Sequence, residues 1–254
     1  MMKVIGIIVG IVGFLLLITI HEGGHFIAAK LVGVRVNEFS VGMGPVIYQK
    51  QKNDTLYSFR AFPVGGYCAL AGEDEESDDP YAFTNASFFK KFVVLVAGSF
   101  NNLLAGFIIF ICVYSIVANG QVGFGRVLEV SCLDFWDVAT SIFQFIGGLF
   151  KGTSSVNDLS GVVGIVSVVS QTAEVGLLNV VYLIGILSVN LGVVNLLPIP
   201  ALDGGRILLS FINVLCGKKI SEKAEGIINA IGLMLLLALM VYLVFKDSIA
   251  LIRG

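Results

Sequence analysis

The segment from Val4 to Ile20 carries no charged residue, and it runs directly into TIHEGGHFIAAK, Thr19 to Lys30, which places two histidines and a glutamate one turn deeper. A helix crosses the hydrocarbon core of a bilayer with about 20 apolar residues, so this segment reads as a membrane span that ends in ionisable groups. Such groups at lipid depth cost about several kcal/mol unless they pair or bind an ion. The apolar stretch is also too long, and too directly joined to the polar cluster, for a cleaved signal peptide.

Three more windows satisfy the same length test, so the expected spans are about 4–30, 92–118, 177–197 and 227–245. Composition agrees: the 254 residues are 56% hydrophobic and 13% charged, with positive mean hydropathy, a balance outside that of a water-soluble domain. The fold class expected is an α-helical polytopic membrane protein with about four transmembrane helices, residues 1–254 forming one membrane-embedded domain. A net charge of −2 gives no reason to expect a nucleic-acid partner; the lipid bilayer is the partner.

Basic residues concentrate between the first and second spans (Lys30, Arg35, Lys50, Lys52, Arg60, Lys90, Lys91) and between the third and fourth (Arg206, Lys218, Lys219, Lys223). The positive-inside rule makes both segments cytoplasmic and puts the two chain ends outside. The four cysteines, Cys68, Cys112, Cys132 and Cys216, lack CxxC spacing, so no thiolate metal knuckle is implied, and they read mostly as packing residues with free thiols.

Between the first two spans, residues of about 39–71 alternate in a β-prone pattern broken by Gly and Pro, with KND at the centre as a turn. A hairpin near the membrane is expected. Irregular backbone at membrane depth survives only beside protein or a water-filled cavity, so this hairpin belongs against something polar. The acidic run GEDEESDD, Gly72–Asp79, reads as a solvated loop. In the outer loop, about 119–174, VGFGRVLEVS suggests a strand and FWDVATSIFQFIGGLFKG an interfacial helix. VVGIVSVVSQTAEV is apolar but short for a span.

His21 and His25 are the chain's only histidines. Four residues apart in a helix, their rings share a face and can grip one ion. Glu22 points about 100° away and suits a proton acceptor for water rather than a ligand; this is the HExxH arrangement of zinc hydrolases. Zinc then needs a third protein ligand. Asp203, in NLLPIPALDGGRI, is a candidate, because Pro198 and Pro200 break the third span just before it. The alternative is that Asp203 caps the helix that follows, and spacing does not separate the two.

HEGGH and NLLPIPALDGG resemble the signature motifs of the site-2 protease family of intramembrane zinc metalloproteases, in particular its bacterial RseP-like branch. VGMGPVIYQK, FRAFPVGGYCALAGE, VAGSFNN and LSGVVGI follow in that family's order. The resemblance implies Zn²⁺ held by His21, His25 and Asp203, Glu22 as the catalytic base, and Asn195 as a substrate-holding residue. Asn102 closes a matching GxxxN in the second span and has the same implied role; interhelical glue is the other reading of both asparagines. The resemblance further implies that the hairpin is membrane re-entrant, its edge holding an unwound substrate segment by β-addition. It implies a bacterial inner (cytoplasmic) membrane location with the active site near the cytoplasmic side. The substrate implied is a single-span, anti-sigma-factor-like membrane protein, cut as the second step of regulated intramembrane proteolysis.

Two departures stand out. Gly23 is bulkier in many family members, and two adjacent glycines lower helix propensity by about 1 kcal/mol each. The family's PDZ domain between the second and third spans is missing, since the short outer loop cannot form a domain-sized core. A membrane zinc-binding or transport protein without proteolytic activity is the alternative class, although the chain lacks the repeated halves common in transporters.

Overall fold

The computed structural model describes residues 2–73, 77–217 and 222–253. In chain order the elements are α1 (Met2–Val32), β1 (Val36–Lys52), β2 (Thr55–Leu70), α2 (Phe88–Ala118), α3 (Phe124–Lys151), α4 (Val162–Val175), α5 (Leu177–Asn195), α6 (Asp203–Cys216) and α7 (Glu222–Arg253). Among the described residues, four helices are long and apolar enough to cross a membrane: Val4–Val32, Phe88–Ala118, Leu177–Asn195 and Ala224–Ala250. Their number is the one expected. The third stops at Asn195 rather than Leu197 because Pro198 and Pro200 cannot continue a helix and disfavour helical backbone before them. α7 leaves Leu233, Met234, Leu235, Leu237 and Phe245 exposed, a surface suited to lipid and too apolar for water.

The chain packs as two compact units. One comprises Met1–Gly13, Leu104–Val193 and Met234–Gly254. Its core joins Val169 and Ala173 of α4 to Val180 of α5, with Val9, Ile165, Leu183 and Ile184 packed around them. The α4 N-terminus has no capping side chain of its own. Asp247 of α7 supplies the acceptor instead, taking the Gly161 and Gly164 N–H groups at 2.8 and 2.9 Å.

The strand expected in VGFGRVLEVS is not formed, because these residues open α3. Several contacts favour the helix. Arg126 and Glu129 pair one turn apart at 2.8 Å, Phe135 packs edge-on against Phe107, and Asp134 Oδ2 accepts from both Tyr114 and Tyr182 at 2.9 and 2.8 Å. Residues 119–161 thus carry a long helix in place of a β-rich domain, and VVGIVSVVSQTAEV forms the 14-residue helix α4.

The other unit comprises Phe14–Leu103 and Val194–Leu233. Its core gathers Ala28 and Ala29 of α1, Val34, Val36, Cys68, Leu70 and Phe83, and Val94 and Leu95 of α2. β1 and β2 form one sheet, turning at Asn53 with φ 52°, as the KND turn requires. The pairing is not a single ladder. Lys52 pairs with Thr55 near the turn, whereas Phe39 is flanked by Tyr57 on one side and Cys68 on the other. Both strands therefore fold back, and the segment ending β2 lies outside the β1 residues it pairs with. Gly42, Gly44 and Gly65 take positive φ where the strands bend.

A polar cluster braces the sheet. Glu38 Oε1 accepts from Ser58 Oγ at 2.5 Å and Arg60 Nη2 at 2.9 Å, and Arg60 also donates to Tyr67 Oη at 2.6 Å. Burial raises the Glu38 carboxyl, but these hydrogen bonds outweigh it and hold the group below its ordinary value. The acidic run is more than a solvated loop at its ends. Glu73 pairs with Arg206 and Asp79 with Arg35 at 3.0 Å; Asp74, Glu75 and Glu76 lie outside the described residues, as do Lys218 and Lys219. All four cysteines are free, but only Cys68 is buried, so the packing role expected of the group belongs to one of them.

Candidate metal centre

α1 runs unbroken through the Gly23–Gly24 pair, so His21 and His25 do project from one face. Both rings are buried. Their Nε2 atoms lie 3.2 Å apart, and Asp203 Oδ2 lies 3.2 Å from the first and 3.4 Å from the second. Two nitrogens and an oxygen bound at about 2.0–2.1 Å around a tetrahedral ion sit about 3.3 Å apart. The donor set is therefore spaced for one ion, and the three residues form a candidate metal site.

A second observation supports this fit. Asp203 Oδ2 is buried and takes no hydrogen bond of ordinary geometry, although two ring nitrogens lie close by. A buried carboxylate oxygen so placed has a desolvation cost without compensation, unless a cation is the intended partner. His25 Nδ1 lies 2.8 Å from the Val94 carbonyl oxygen, a contact that only an Nδ1–H can make. Its Nε2 thus keeps the lone pair that a metal needs.

Asp203 reaches this position through the break after α5. The N-cap of α6 is Leu202, and Asp203 is the first helical residue, with no side-chain cap bond at that terminus. Asp203 is therefore not the N-cap residue, and its Oδ2 faces the histidines. Two glycines allow the approach. A Cβ at Gly204 would lie 2.2 Å from the Leu197 carbonyl oxygen, and one at Gly205 would lie 2.2 Å from that of Ile199. The loop backbone therefore rests on the first turn of α6, and Ala201 accepts a positive φ of 73° to make the bend. Arg206, one turn after Asp203, pairs with Glu73, whose second carboxylate oxygen accepts the Leu70 N–H at 3.0 Å. The end of β2 and the start of α6 are tied together by that one glutamate.

Glu22 is half-buried and within electrostatic reach of His25, His21 and Asp203. Its Oε2 accepts the Cys68 N–H at 3.0 Å. Cys68 and Leu70 are alternate residues of β2 whose N–H groups go to Glu22 and Glu73, so the outer edge of β2 faces the candidate base. Asn102 is fully buried on α2 with its carboxamide nitrogen 3.3 Å from His21 Nδ1. Asn195 closes α5, half-buried, at the start of the loop that leads to Asp203.

Sequence reasoning missed Gly98 and Glu73. A Cβ at Gly98 would lie 2.4 Å from His25 Nε2 and 3.0 Å from His21 Cε1, so the rings occupy space that only glycine leaves. The GxxxN spacing, Gly98 to Asn102, carried that signal. Nothing in the sequence pairs Glu73 with a residue so distant as Arg206.

The sequence profile of Peptidase family M50 matches residues 9–239. A Clostridium acetobutylicum protein named as a zinc metalloprotease is 29% identical, with 98% of each chain covered. A Clostridium perfringens protein named in the same way is 30% identical over 96% of this chain and 98% of its own. Zinc metalloprotease RasP of Shouchella clausii is 24% identical over 92% and 96% respectively. The first alignment runs over 334 positions against the 254 residues here, so that relative carries at least 80 residues without a counterpart in this chain.

Proposed function

The chain belongs to peptidase family M50, the site-2 proteases, and from that premise we propose that it is an intramembrane zinc metalloprotease cutting single-span membrane proteins within or beside the membrane. The observation that carries this reading is the convergence of His21, His25 and Asp203 at separations of 3.2 to 3.4 Å, with the Glu22 carboxylate beside them. Zinc bound by these three residues supplies a Lewis acid that polarises a carbonyl and lowers the pKa of water to about 7.

The remaining steps belong to the chain. Glu22 takes the proton of the attacking water and returns it to the leaving amide nitrogen. Cys68 N–H holds the Glu22 carboxylate in orientation while it waits. Asn195 donates to the developing oxyanion or to the unwound substrate backbone. A transmembrane helix hides its peptide bonds, so the substrate must unwind before cleavage. The outer edge of β2, beside Glu22, supports a reading in which the unwound segment adds there as a strand.

The segment between α2 and α5 holds α3 and α4 in place of a PDZ domain, so substrate selection rests on the membrane-embedded part. A bacterial inner-membrane setting with both chain ends outside, and use as the second cut after another protease has trimmed the substrate, complete the proposal.

The test is zinc content of the detergent-purified protein beside Glu22→Gln and His25→Ala, with cleavage of a model transmembrane substrate measured in parallel. The expected result is one zinc per chain, retained in the first variant and lost in the second, with cleavage lost in both. Stoichiometric zinc without cleavage in the unmodified protein overturns the protease reading in favour of binding or transport.

A further inference from the structure

Val94, Gly98 and Asn102 are spaced four residues apart on α2 and so form one stripe along that helix. Each meets the histidine pair differently. Val94 O accepts from His25 Nδ1 at 2.8 Å, Gly98 leaves room for both rings, and the Asn102 carboxamide lies 3.3 Å from His21 Nδ1. α1 and α2 approach closely at the same level, where a Cβ at Gly24 would lie 2.3 Å from the Ala97 carbonyl oxygen. The two rings are thus backed by matching polar groups, a carbonyl behind one and a carboxamide behind the other.

We propose that Asn102 is a positioning residue for the metal centre, its Oδ1 accepting a hydrogen bond from His21 Nδ1–H and thereby holding the Nε2 lone pair toward the ion. The inference rests on the metal-site reading given above. A neutral imidazole that ligates through Nε2 carries its proton on Nδ1, and a buried Nδ1–H requires an acceptor. The two ends of a carboxamide are nearly equal in size, so a half-turn of its terminal torsion presents oxygen where the nitrogen stands. The carboxamide is fully buried against the ring, which makes it the counterpart of Val94 O. Asn102 then acts through His21 and does not hold substrate, in contrast with the role the GxxxN resemblance implied.

The experiment compares the full-length protein in detergent with Asn102→Ala, Asn102→Leu, Asn102→Asp and His25→Ala. Zinc affinity is read by competition with a chromophoric chelator, the absorption spectrum of the cobalt-loaded protein is recorded, and KM and kcat are measured on the model substrate. The expected result is zinc affinity about 10–100-fold weaker in the alanine and leucine variants, with an altered cobalt spectrum. The aspartate variant, which can still accept from Nδ1–H, returns affinity to within a few-fold of the unmodified protein. Unchanged zinc affinity and cobalt spectrum in the alanine and leucine variants, with a raised KM, overturn the proposal and restore a substrate-holding role. Failure of the aspartate variant to recover affinity also overturns it, because the acceptor function is then not what matters. His25→Ala separates the two levels: if it keeps zinc, the metal-site reading fails; if it loses zinc while Asn102→Ala keeps it, only the Asn102 proposal fails.

Discussion

Adjacent glycines in HEGGH have opposite meanings. A Cβ at Gly23 meets nothing within 4 Å, whereas one at Gly24 would collide with the Ala97 carbonyl. Gly23→Ala should therefore raise the thermal stability of the detergent-solubilised protein by up to about 1 kcal/mol, through helix propensity alone. Gly24→Ala should cost about 1–3 kcal/mol, as overpacking does, and should also weaken zinc binding, because the α1–α2 approach sets where the rings sit. Equal melting temperatures for the two variants would mean that the close contact does not govern the centre. The spacing of the histidines was legible in the sequence, but the difference between these glycines depends on a neighbour some seventy positions away in the chain.

Among the elements, the β1–β2 sheet is braced by a charged cluster beside the apolar contacts of Val36, Cys68 and Leu70. Glu38 sits below its ordinary value of 4.5, so its stabilising effect is complete above that pH and is lost as the pH falls through the lowered value. Limited proteolysis of the sheet should be unchanged from pH 7 to 5 and should accelerate only below about 4.5. Glu38→Gln should remove that acid sensitivity. Sensitivity persisting in the variant would place the responsible carboxylate elsewhere. The hairpin itself followed from alternation and the KND turn. Its folding back, which brings Phe39 between Tyr57 and Cys68, did not, because the bends at Gly42, Gly44 and Gly65 are satisfied only by pairing between segments that local sequence does not link. VGFGRVLEVS failed as a strand for a related reason: Val and Phe suit either state, and contacts with Tyr114, Tyr182 and Phe107 favour the helix.

For the molecule as a whole, the asymmetry of lysine and arginine is the basis of the proposed topology. The proposed orientation puts Asn53, exposed at the turn of the sheet, on the cytoplasmic side. After replacement of the exposed Cys112, Cys132 and Cys216, a cysteine introduced by Asn53→Cys should react with a membrane-impermeant maleimide only in inverted vesicles. Labelling in right-side-out vesicles would overturn the proposed orientation.

The sequence by itself determined the spans, the α1 turn that carries His21 and His25, and the hairpin, because each is written in periodicity or spacing over a few residues and the bilayer leaves few alternatives to a helix. Only the tertiary structure decided that Asp203 faces the histidines instead of capping α6, that Asn102 backs His21, and that Glu73 joins the sheet to α6. Those assignments depend on how close two backbones can come at Gly24, Gly98, Gly204 and Gly205, and a distance between remote segments is a property of packing that no local pattern encodes.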